Sequence, residues 1–255
     1  MVTQRSFVHR SLRPVPVLAA LAILSAIAVR GEEDPGVVAA PLAPTGRLTG
    51  RVTIGPELSS RRMRFQLYPD QVRLAASPDE SRPAGDPGDV VVFLEEVSKA
   101  SAPDGRNVPA PVMRQDGLTF HPHLLTILRG TTVEFPNADP IFHNVFSLSR
   151  ASSFDLGRYP QGSSRSVRFE KPGVVKVFCH IHSDMNAIIL VLDNPFFARP
   201  GADGRYQIGA VPPGEYRVVA WHERAKPFRR SVRIDPGRDA VLDFAIPLKE
   251  PQDGD

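Results

Sequence analysis

The sequence predicts an all-β protein of two packed, sandwich-like modules. Beyond the N-terminal segment, no stretch of ten or more residues keeps a clean 3.6-residue apolar period. Many short runs instead alternate apolar and polar residues with period two, the pattern of half-buried strands. Gly (19) and Pro (26) are plentiful among the 255 residues and cluster between those runs, where Gly supplies positive φ and Pro presets φ. Hydrophobic residues at 42% and charged residues at 23% exclude a polytopic membrane protein and a mostly disordered chain.

The N-terminus reads as a secretory signal peptide over residues 1–28. Arg5, Arg10 and Arg13 precede an uncharged run from Pro14 to Val29, and Ala26-Ile27-Ala28 offers a small-x-small cleavage site. The run opens with two prolines and falls short of the roughly 20 residues a membrane span needs, so no stable membrane insertion is expected after cleavage near Ala28. The mature protein is therefore expected to be periplasmic or secreted. The formal charge of +3 equals the three arginines of this segment, which carries no acid. The mature chain is then formally neutral, and a nucleic-acid partner is not expected.

Residues 29–46, rich in Pro, Ala and Gly, read as a linker. Gly46–Gly55 and Arg62–Leu67 alternate, 70–89 has the composition of a long loop, Val90–Leu94 is an apolar strand, and 98–111 is loop again. Strands follow over Leu124–Leu128, Thr131–Phe135, Ile141–Leu148, Ser164–Phe169, Val174–Cys179 and Ala187–Leu192. A second block has strands over Arg205–Ile208, Glu215–Trp221, Arg229–Ile234 and Ala240–Ile246, with turns at Asp203-Gly204, Pro212-Pro213-Gly214 and Pro236-Gly237. These boundaries define modules over 47–193 and 194–247, and a tail over 248–255.

Cys179 is the single cysteine, so no intramolecular disulfide and no C-x-x-C motif is possible. A lone cysteine is unusual in an oxidising compartment. Cys179, His182 and Met185 follow a C-x2-H-x2-M spacing, and His143 lies upstream in Phe142-His143-Asn144-Val145. A thiolate, two imidazoles and a thioether form the ligand set of a blue-copper centre. Strand parity puts Val175, Val177 and Cys179 on one face and Lys176 on the other with Phe178 and His180, so Cys179 points inward and His180 is the weaker ligand candidate. His121, His123 and His222 read as structural.

These motifs resemble the cupredoxins of the plastocyanin and amicyanin group. The loop Cys179-x2-His182-x2-Met185 is similar to the short ligand loop of amicyanin. Gly130-Thr131-Thr132-Val133-Glu134-Phe135-Pro136-Asn137, followed by His143-Asn144-Val145, is similar to that group's G-x-x-V-x-F-x-N…H-N-V stretch. The likeness covers roughly 90–193, and the layout also resembles bacterial proteins labelled methylamine-utilisation-like. It implies a Greek-key β-sandwich holding one type 1 copper on His143, Cys179, His182 and Met185, with Asn144 bridging the two ligand loops. The second block, with Asp203-Gly204-Arg205-Tyr206 and Val211-Pro212-Pro213-Gly214-Glu215-Tyr216, resembles a carboxypeptidase-regulatory-like (transthyretin-like) sandwich. Its cluster of Arg224, Lys226, Arg229, Arg230 and Arg233 reads as a solvated hairpin face, with docking of an acidic partner or glycan as the alternative.

The expected function is one-electron transfer to and from a redox partner protein, without catalysis. Copper(I) storage or delivery is the alternative, weakened by the absence of a Met-rich or His-rich tract: the chain has four Met. A copper enzyme would need a second set of histidines at a convincing spacing. A metal-free adhesion or scaffold protein is the remaining class.

Overall fold

The computed structural model describes residues 44–55, 87–97 and 110–246. The expected strand Arg62–Leu67, the signal, most of the 29–46 linker, the 248–255 tail and nearly all of the 70–89 and 98–111 loops lie outside these residues. The described residues form strands joined by turns, with one 3-10 turn at Pro87–Asp89 and no α-helix. In chain order the strands are β1 (Gly46–Ile54), β2 (Val91–Glu95), β3 (Arg114–Asp116), β4 (Thr119–His121), β5 (Leu124–Leu128) and β6 (Thr132–Pro136). Then come β7 (His143–Ser149), β8 (Ser152–Tyr159), β9 (Ser164–Arg168), β10 (Gly173–Phe178), β11 (Asn186–Leu192) and β12 (Phe197–Ala198). The last are β13 (Arg205–Val211), β14 (Gly214–Trp221), β15 (Phe228–Ile234), β16 (Asp239–Val241) and β17 (Phe244–Ile246).

The chain is all-β, as expected. One five-stranded sheet has the order β5-β11-β10-β7-β8, accompanied by the pairs β6-β9 and β3-β4. Val133, Phe135, Val145, Phe169, Val175, Val177 and Ile189 fill the core between them, and Cys179 and Met185 belong to that same core. Period-two alternation explains this: on β10, Val175 and Val177 are buried while Lys176 is exposed.

The second sandwich differs from the expected division at residue 193. β1 pairs antiparallel with β13 and parallel with β16 and β17, while β2 pairs with β12 and β14. Gly46–Ile54 and Val91–Glu95 therefore hydrogen-bond to the C-terminal strands, not to those around Cys179. Leu48, Val52, Val90, Val92 and Leu94 complete a core with Tyr206, Ile208, Val218, Ala220 and Phe244. The physical reason is that alternation specifies which face of a strand is apolar but not its partner.

β14 also buries both faces. Val218 and Ala220 face the second core, whereas Val219 and Trp221 pack with Val91 against Leu124, Ile188, Leu190 and Leu192 of the five-stranded sheet. The two sandwiches thus share an apolar layer. Of the basic side chains expected on a hairpin face, Arg229 meets Glu95, which also meets Arg217, and Arg233 meets Asp235 and Glu215.

Candidate metal centre

β10 and β11 form a hairpin whose last pair is Phe178 with Asn186, so Cys179–Met185 is its connecting loop. The Cys179 amide donates to the Met185 carbonyl at 3.1 Å, and the Met185 amide to the His182 carbonyl at 3.1 Å. These two bonds close the loop and hold Cys179, His182 and Met185 in one tight turn. His143 opens β7, which pairs with the end of β10 through Phe146 and Phe178. The fourth candidate is thereby delivered from the adjacent strand.

The Nδ1 atoms of His143 and His182 lie 3.9 and 3.7 Å from Cys179 Sγ. The sulfur and both nitrogens fall within 4.8 Å of one another, a group that could hold a metal ion. His143 is 0% exposed, Cys179 2% and Met185 1%, while His182 is half-buried. The two rings meet edge to face, 4.9 Å between centroids. His180 lies outside this group: it is exposed and stacks on Phe146 at 3.7 Å.

The surroundings favour charge separation onto the sulfur. Burial alone would push the Cys179 thiol up, but the His143 ring and the backbone amides of Asn144, Ile181 and His182 outweigh it and hold the thiol below its ordinary value. Burial likewise opposes charge on His143, which its neighbours Cys179 and Asp139 overcome, raising it. His182 is held below its usual value by burial and by the adjacent His143, with Asp139 opposing. The chemistry of the donor set fits a soft or borderline metal: one thiolate and two imidazole nitrogens.

Asn144 is buried and spans the ligand segments. Its Oδ1 accepts the His180 amide at 3.4 Å, and its Nδ2 donates to Asp155 Oδ1 at 2.7 Å. Asn137 fixes the segment before His143, donating through Nδ2 to the carbonyls of Ile141 and Tyr159 at 2.8 and 3.1 Å. Tyr159, cross-strand from His143, donates its hydroxyl to the Phe135 carbonyl at 2.8 Å, and burial pushes its pKa up to about 12.

The sequence reading missed Asp139. His143 Nε2 lies 2.8 Å from Asp139 Oδ2. An acidic residue four positions before the candidate ligand, in the turn Asn137-Ala138-Asp139-Pro140, was the available signal. The other histidines among the described residues are engaged elsewhere. His121 meets Thr119, His123 bridges the Asn186 carbonyl and Glu223, and His222 Nδ1 accepts the Arg224 amide.

Fold and site together describe an all-β protein with a His-Cys-His cluster, two of its members buried, at a hairpin end. Among solved structures, the chain is similar to a copper-containing nitrite reductase from Thermus scotoductus SA-01, at 28% identity and a TM-score of 0.32, over 37% of this chain. It spans only 26% of that reductase. It is also similar to a reduced single-substitution variant of amicyanin, at 19% identity and a TM-score of 0.31, over 40% of this chain and 98% of that one. An oxidised amicyanin variant matches at 18% identity with the same TM-score and coverage. No protein-family profile and no curated protein matches the chain.

Proposed function

We propose that the protein is an extracytoplasmic one-electron carrier of the cupredoxin type, holding one type 1 copper on His143, Cys179, His182 and Met185. The observation that carries this reading is the convergence of Cys179 Sγ with the Nδ1 atoms of His143 and His182 within 4.8 Å, with a buried methionine on the loop that carries Cys179 and His182. Copper held by these residues would supply a Cu(II)/Cu(I) couple, with its potential tuned by Met185 and by the surroundings of the sulfur. The chain's own part is to hold the donors still. The two loop-closing hydrogen bonds and the Asn144 bridge keep the ligand segments from rearranging between charge states. His182, half-buried where the other three are buried, is the ligand nearest to solvent and offers the route for electrons to a partner protein.

The test is voltammetry of the copper-loaded mature protein in the presence of a Cu(I) chelator. The expected result is a reversible one-electron wave with copper retained through repeated cycles. Rapid loss of Cu(I) to the chelator would instead mark a copper-delivery protein.

A further inference from the structure

We propose that Asp139 is a positioning residue that fixes the tautomer of His143 and lowers the reduction potential of the centre. The inference rests on the copper reading above. His143 is fully buried, so both ring nitrogens need protein partners. A carboxylate only accepts, so Asp139 Oδ2 at 2.8 Å from Nε2 requires a proton on Nε2 and makes Nδ1, on the Cys179 side of the ring, the nitrogen that a metal would take.

The carboxylate is itself immobilised. Its Oδ1 accepts the Gly117 amide at 2.7 Å, and its Oδ2 accepts the Leu118 amide at 3.0 Å. Its own backbone amide donates to Asn137 Oδ1 at 2.9 Å. Gly117 and Leu118 form the β3–β4 turn with φ of 62° and 61°, and the left-handed conformation of Leu118 is one that a non-glycine residue rarely adopts. That turn aims two successive amides at one anion, a backbone nest. Asp139 therefore stays anionic and fixed against the outer nitrogen of the buried ligand.

A negative charge there makes the imidazole a stronger donor. It also stabilises the doubly charged metal more than the singly charged one. Both effects favour Cu(II) and lower the potential relative to a neutral acceptor.

The test is Asp139→Asn in the full mature chain loaded with copper, read by visible absorption and voltammetry. The expected result is a retained thiolate-to-copper band and a loss of about tenfold in the preference for Cu(II) over Cu(I). For one electron that is a rise of about 59 mV. Bands in both proteins with equal potentials overturn the role of Asp139 and leave the copper reading standing. Absence of the band in the unsubstituted protein overturns the copper reading and this inference with it. Should the variant not fold, NMR of the Cu(I) form of the unsubstituted protein decides. A slowly exchanging proton on His143 Nε2 supports the assignment, and an unprotonated Nε2 overturns it.

Discussion

Asn144 shows how much of the site rests on one uncharged side chain. It is buried, accepts from the His180 amide beside Cys179, and donates to the Asp155 carboxylate. Asn144→Ala leaves the His180 amide without its side-chain acceptor and the Asp155 carboxylate without its donor. It is expected to lower stability by about 1–3 kcal/mol in urea denaturation and to speed copper loss to a chelator. Much of this scale was legible in the sequence, because Cys179, His182 and Met185 lie on one short loop whose spacing is itself the geometry. Asp139 was not legible: an aspartate in a Pro-containing turn looks like turn chemistry, and only the β3–β4 amides, from residues some twenty positions earlier, reveal its other use.

At the scale of elements, the break between β16 and β17 is the most informative. The expected single strand Ala240–Ile246 is interrupted at Leu242-Asp243, where the backbone crosses close to β1. The Leu242 amide donates to the Thr49 carbonyl, and Asp243 Oδ1 accepts the Arg51 amide. A Cβ on Gly50 would lie 2.0 Å from the Leu242 carbonyl oxygen. Gly50→Ala is therefore expected to cost about 1–3 kcal/mol, measured as a lower urea midpoint with an unchanged m-value. Alternation could not disclose the break, since both halves obey it. β8 was missed for another reason: Phe154 and Leu156 do alternate with Ser153, Asp155 and Gly157, but the strand lies at the sheet edge and its Ser, Asp, Gly and Arg residues carry little strand propensity.

At the scale of the molecule, the shared apolar layer is expected to make the two sandwiches unfold as one cooperative unit. Trp221, the single tryptophan, is buried in that layer. Its fluorescence and the far-ultraviolet circular dichroism are expected to change together in denaturant. A red shift at lower denaturant would mean that the layer opens first. Trp221→Ala is expected to cost about 3–5 kcal/mol in the same titration.

The layer is bordered by the pair His123–Glu223, at 3.0 Å. Burial opposes charge on both groups, yet their mutual attraction prevails: His123 is raised and Glu223 lowered. The His123 contribution is complete below about pH 6.5 and fades as pH rises through its raised value, and that of Glu223 fades in acid. The deficit of His123→Gln against the unsubstituted protein should thus be larger at pH 6 than at pH 8, though below about 1 kcal/mol for a partly exposed pair. The all-β class was legible at this scale from periodicity and turns, but the pairing of β1 and β2 with strands more than a hundred residues later was not, because partner choice is settled only in the assembled fold.

On the proposed function, Cys179 holds copper as a thiolate between two imidazoles. Visible absorption of the mature protein after addition of Cu(II) tests it most directly. An intense thiolate-to-copper band, lost in Cys179→Ser, is the expected result. A colourless complex with ordinary tetragonal spectra, or a band that survives in Cys179→Ser, would contradict it.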